Sequence, residues 1–162
     1  MKSKSYLFLL LFYLLTPACF AQEQTNGIFA TIKIDTKHRA KDYGRRVFNR
    51  SHREKFLIPD QPLIASIEFT SVSKITHDLP ALLSYFDIIV STEGMTRLRN
   101  AITALPDTEL VLVIDNTVFG RISSKSEQDF RYNKITIASP LKDADLEWAH
   151  GKLEEMINAR AK

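Results

Sequence analysis

The stretch Tyr85-Phe86-Asp87-Ile88-Ile89-Val90-Ser91-Thr92-Glu93-Gly94-Met95 changes hydrophobic period partway along, and that change decides the class of fold. Phe86, Ile88 and Val90 alternate with Tyr85, Asp87 and Ile89, the period-two pattern of a strand over residues 85–91. From Met95 the spacing becomes helical, with Met95, Leu98, Ile102 and Leu105 on one face and Arg97, Arg99 and Asn100 on the other. Ser91 is placed to cap the helix, and Glu93 sets negative charge in its first turn, where the helix dipole favours it. Pro106-Asp107 ends the segment.

Downstream, residues 110–114 and 117–122 are apolar runs separated by Asp115-Asn116, a pair that accepts the left-handed conformations of a tight hairpin turn. Residues 123–132 form a polar connection, and residues 134–138 a further strand. Ser139-Pro140 predicts the start of the last helix, with Ser139 as cap and Pro140 at the first helical position. Its buried stripe is Leu146, Ala149, Leu153 and Ile157, flanked by Trp148 and Met156. Strand, helix, three strands and helix predict an α+β fold, an antiparallel sheet with two helices packed on one face.

Upstream, residues 63–75 are rich in β-branched side chains and predict a strand region with a bend, followed by a short connector over residues 79–83. Residues 28–35 alternate as a half-buried strand, with Ile28, Ala30, Ile32 and Ile34 on one side and Phe29, Thr31 and Lys33 on the other. Between these lies the least typical segment. Residues 37–55 carry eight Lys or Arg opposed only by Asp42 and Glu54, with few apolar positions, and predict a long loop or a poorly formed helix.

The N-terminus is set apart by composition. Lys2 and Lys4, an apolar run over residues 6–15, the break Thr16-Pro17 and the small-residue stretch ending at Ala21 have the layout of a secretory signal, residues 1–21. The run is about half the roughly 20 residues that a membrane-spanning helix needs. A periplasmic or secreted protein of a Gram-negative type of envelope is expected, with lipid attachment at Cys19 as the alternative. Cys19 is the sole cysteine, so cleavage after Ala21 leaves no thiol for disulfide, nucleophile or metal chemistry. Once Lys2 and Lys4 leave, the 22 Lys and Arg fall to 20 against 19 Asp and Glu, and net charge identifies no partner.

Residues 56–157 resemble the head subdomain of the first periplasmic domain of the SecD and SecDF protein-export subunits. Phe56-Leu57-Ile58 through Gln61-Pro62-Leu63-Ile64 is similar to the opening strand-turn-strand of that head, and Thr92-Glu93-Gly94-Met95 to its helix start. Residues 110–115 followed by Asn116-Thr117-Val118 resemble its aliphatic strand and turn, with Asn116 where the family has Gly, and residues 139–144 resemble its last helix. Three parts are expected, a leader (1–21), an N-terminal strand with basic loop (22–55) and a head-like α+β domain (56–162), and the resemblance implies the fold of the last. It also implies contact with emerging polypeptide. The family's membrane-spanning helices have no counterpart here, so proton-driven translocation is not implied.

No interlocking catalytic constellation is present in the sequence, and no catalytic, cofactor or metal residue is assigned. His38, His52, His77 and His150 show no HxH or HxxxH spacing. Asp115 and Glu93 are expected as turn former and dipole partner, with a small envelope enzyme around them as the rival function. Glu154 and Glu155 are expected on exposed helix surface. Trp148, Phe130 and Tyr132 offer either core packing or a peptide-contact surface. Arg45, Arg46, Arg50 and Arg53 are the candidates for contact with an anionic membrane surface or acidic partner. A protein partner is expected, and nucleic acid is not.

Overall fold

In the computed structural model, which describes residues 25–33, 44–104, 108–122 and 132–161, every residue of the strand Leu110–Ile114 is buried. Successive strand side chains point to opposite faces, so a fully apolar strand with no exposed position must be covered on both sides. Leu110, Leu112 and Ile114 enter one hydrophobic cluster, while Val111 and Val113 enter another. The two cores define the layers of the molecule.

In chain order the strands are β1 (Gly27–Ala30), β2 (Arg45–Asn49), β3 (Lys55–Ile58), β4 (Ile64–Ala65), β5 (Phe69–Val72), β6 (Thr76–Asp78), β7 (Leu83–Val90), β8 (Leu110–Ile114), β9 (Thr117–Ile122) and β10 (Lys134–Pro140). The helices are α1 (Thr92–Ala104) and α2 (Ala144–Arg160). A six-stranded sheet runs β3-β2-β9-β8-β1-β4, antiparallel except where β2 lies parallel to β9. A four-stranded sheet has the order β10-β7-β5, with β6 also paired to β7. The protein is therefore α+β, with mixed and antiparallel sheets and both helices on a common core.

The six-stranded sheet curls. Just past β1, Ile32 N–H donates to Leu57 O of β3 at 2.8 Å, bringing the two ends of the row β3-β2-β9-β8-β1 together. Phe29, Val47, Phe56, Ile58, Val111, Val113 and Val118 fill the space that the curl encloses. The larger core lies between the outer face of this sheet, the second sheet and the helices. It joins Phe86, Ile88 and Val90 of β7 to Met95 and Leu98 of α1 and Leu146, Ala149 and Leu153 of α2.

Local chemistry explains the strongest elements. Asp115 and Asn116 adopt φ of 48° and 62°, as a two-residue hairpin turn requires, and the β8–β9 hairpin has the predicted limits. Gly94 N–H donates to Ser91 Oγ at 3.1 Å, the expected cap of α1. Residues 63–75 contain the expected bend as a 3-10 turn, Ser66–Glu68, between β4 and β5. Leu105, Pro106 and Asp107 lie outside the described residues, as do residues 1–24 with the expected leader and Cys19, residues 34–43 and residues 123–131.

Three local expectations are corrected. Residues 45–49 of the basic segment are a strand rather than a loop or weak helix, because Val47 is fully buried in the smaller core and β2 pairs on both sides. The strand expected from Ile28 is covered on both faces, with Ile28 in the larger core and Phe29 in the smaller. The last helix is capped by Asp143, which accepts from Asp145 N–H at 2.9 Å, while Ser139 and Pro140 extend β10 along β7. Lys55 and Phe56, on either side of one expected part boundary, both belong to β3, which is hydrogen-bonded to β2.

Gly27 has φ of 153°, and a Cβ there would lie 2.2 Å from Ile64 O. Gly27→Ala is expected to lower unfolding free energy by at least about 1 kcal/mol. Leu98→Ala, which empties a fully buried site, should cost about 2–5 kcal/mol. Urea denaturation of both variants checks the two values.

Candidate functional site

A bulge in β9 organises the most developed surface feature. Leu112 faces Gly120 and Val113 faces Val118, so Phe119 is the extra residue with no partner across the hairpin. Phe119 stacks on Trp148 of α2, with ring centroids 4.6 Å apart and planes at 18°. The Arg50 guanidinium lies over the Trp148 ring at 5.3 Å, and its Nη1 meets Asp145 Oδ1 at 2.8 Å. An aromatic and cationic stack thus ties the β2–β3 loop to β9 and the start of α2.

The loop itself is held by one side chain. Asn49 Oδ1 accepts from Arg53 N–H at 2.9 Å, from Glu54 N–H at 3.1 Å and from Ser51 Oγ at 3.2 Å. Beside it opens a groove of about 460 Å³, with the loop on one side and residues 138–140 with Asp143 and Asp145 on the other. Residues 118–121 complete its lining. Such a volume lies within the common range for ligand sites, about 300–1,000 Å³.

The groove is polar and of mixed sign, and its charges are engaged with one another. Arg121 Nη2 pairs with Glu54 at 3.2 Å, its Nε pairs with Glu109 at 2.8 Å, and its guanidinium lies over Phe56 at 5.5 Å. Asp143 caps α2 and hydrogen-bonds the hydroxyl of Ser139. Backbone lines the groove as well. Among the described residues, β10 has no strand partner on its outer side, and β9 has none on its β2 side beyond Val118.

The four arginines singled out from the sequence separate into different roles. Arg45 is half-buried, with Nη1 donating to Asn116 Oδ1 and Nη2 to Thr25 O, both at 2.8 Å, and its guanidinium over Phe29 at 5.4 Å. Its Nε is buried without a hydrogen-bond partner. Burial lowers its pKa, against the raising influence of the Asp60 charge. Arg45 therefore serves the interior, Arg50 belongs to the groove, and Arg46 and Arg53 are exposed.

The remaining candidates are accounted for individually. His52 lies 5.8 Å from the Phe48 ring, His77 Nδ1 is 2.8 Å from Ser84 Oγ, and His150 Nε2 is 2.8 Å from Ser73 O. His38 and Phe130 lie outside the described residues, and Tyr132 is exposed. Among the described residues no three His, Cys, Asp or Glu side chains group to hold a metal ion, and no helix is long and apolar enough to cross a membrane. Asp115 forms its turn, with its N–H donating to Asn26 Oδ1 at 2.8 Å. Glu93 is exposed in the first turn of α1, and Glu154 and Glu155 are exposed on α2.

Sequence reasoning missed Asn49, Phe119, Arg121, Ser139, Asp143 and Asp145 as parts of one site. One signal was present: Gly120 inside a strand pattern marks a bulge or a close approach. A Cβ on Gly120 would lie 3.2 Å from Ile137 Cγ2 of the neighbouring sheet.

No family model, curated protein or solved structure matches the chain. Functional inference rests on the groove and on the surface around it.

Removing the Arg45 side chain should cost about 1–3 kcal/mol, since two hydrogen bonds from a charged group are lost. Arg46→Ala and Arg53→Ala should stay within about 0.5 kcal/mol of the parent. Chemical denaturation of the three variants separates the interior arginine from the exposed pair.

Proposed function

We propose that this chain is an exported, non-catalytic binding module of the cell envelope that holds an extended segment of a protein partner in the groove beside Trp148. The observation that carries this reading is the pair of strand edges along the groove, β10 on one side and β9 beyond Val118 on the other. Unpaired strand edges bind extended polypeptide through its backbone, and alternating pockets then select side chains. The mixed signs of Arg50, Arg121, Glu54 and Asp145 suit a polar peptide better than a uniformly charged polymer. Residues 56–157 resemble the SecD and SecDF export head, which supports contact with polypeptide on the outer side of a membrane.

Carboxylates lining the groove support a binding role over hydrolysis. Asp145 is paired with Arg50, Glu54 with Arg121, and Asp143 is engaged by Ser139 and the helix terminus. Acid–base catalysis needs a group free to exchange a proton with a substrate at hydrogen-bond range.

Selection of the full chain against a random-peptide library tests the reading. Ala138 is exposed on the groove wall, so Ala138→Trp fills the groove without entering the core. Selected peptides should lose at least about tenfold in affinity for Ala138→Trp, a loss of about 1.4 kcal/mol, with thermal unfolding unchanged. Peptides bound equally by parent and variant would remove the groove from the function.

A further inference from the structure

The turn joining β6 to β7, residues 79–82, is unusual on two independent grounds. Six large hydrophobic side chains are exposed among the described residues, and three of them fall here and at its edge: Leu79 at 65%, Leu82 at 66% and Leu83 at 39%. Pro80 and Ala81 between them are exposed as well. Single exposed leucines are ordinary, but a contiguous apolar stretch is a mark of interaction.

The second ground is backbone conformation. Leu82 has φ of 54°, in the left-handed region that Gly, Asn and Asp occupy readily and leucine does not. The turn is nevertheless well tied: Ala81 N–H donates to Asp78 Oδ1 at 3.1 Å, Leu82 N–H to Leu79 O at 3.2 Å, and Leu141 N–H to Leu82 O at 2.9 Å. A strained, water-exposed leucine opposes folding twice. Held in a firmly tied turn, the side chain is presented for use outside the fold.

We infer that this leucine turn is a wedge that enters the interfacial region of a phospholipid bilayer, seating the module on the membrane surface. Size and shape favour that occupant. A stable dimer covers about 800 Å² on each partner, far more than three leucines at the end of a hairpin present. A bilayer needs no complementary pocket and takes up a small projecting apolar group by burying its area. Lys142 is exposed and anchored beside the turn, its N–H donating to Ser84 Oγ at 3.1 Å, where its ammonium group can meet lipid phosphate. Asp78 accepts from Ala81 N–H, and Asp143 is engaged by Ser139 and the α2 terminus, so the turn has carboxylates beside it as well as an ammonium group.

The position of the turn connects it with the groove. Leu83 pairs with Pro140, and Pro140 lines the groove that also contains Arg50 and Ser51. A module resting on this corner would hold its peptide slot close to the membrane.

Hydrogen exchange in residues 76–85 of the full chain, measured with and without vesicles of phosphatidylcholine and phosphatidylglycerol, tests the inference locally. The residues before the described fold are the same in every sample. Exchange in this segment should slow at least about tenfold on vesicles. The double variant Leu79→Ser with Leu82→Asn removes the apolar wedge while placing Asn in a conformation that suits it, so thermal unfolding should be no lower than the parent's and the slowing abolished. Unslowed exchange in the parent, or slowing that survives the double variant, overturns the inference. Protection by a protein with none from vesicles would also overturn it, assigning the turn to a protein partner.

Discussion

β8 has no side chain that can face water, and the architecture follows from covering it twice. The two sides are met by different means. On one side the sheet bends until the segment after β1 reaches β3, enclosing Phe29, Val47, Val111, Val113 and their neighbours. On the other, a second sheet and two helices close over Leu110, Leu112 and Ile114. Interiors tolerate few voids, so each cover must match the surface that β8 and its partners offer. Neither core can be altered without the strand that the two share.

The groove arises where these covers part. β9 belongs to the curled sheet and β10 to the other, and Gly120 and Ile137 approach closely enough that a Cβ would crowd them. Towards residues 138–140 a groove opens instead, and the β2–β3 loop closes its far side. Trp148 works as a strut at this seam, bearing on Phe119 from one sheet and Arg50 from the loop while its helix packs on the larger core. The slot lies where the two layers meet, and its walls come from both.

Parts of this were legible because their determinants are neighbours in the chain. Asp115-Asn116 announces a left-handed turn between two apolar runs, and Ser91 stands three residues before the amide it caps. β2 was hidden because its inward position, Val47, follows two arginines, the first of which, Arg45, folds inward to satisfy Asn116 and Thr25. The helix start was misplaced since Ser139-Pro140 and Asp143 are both acceptable caps locally, and pairing of β10 with β7 through Pro140 selects the later one. The site was illegible for a simpler reason. Arg50 and Asp145 are 95 residues apart, as are few pairs that periodicity can connect.

The bulge in β9 has a further effect on how the chain can vary. Val118 and Ile122 are an even number of positions apart and would share a face of a regular strand, yet Val118 lies in the smaller core and Ile122 in the larger. The supernumerary Phe119 reverses parity between them, letting one strand serve two interiors. Residue identity along β9 is therefore negotiable, but residue count is not: the strand behaves as a reading frame whose length, more than its letters, assigns each side chain to its compartment.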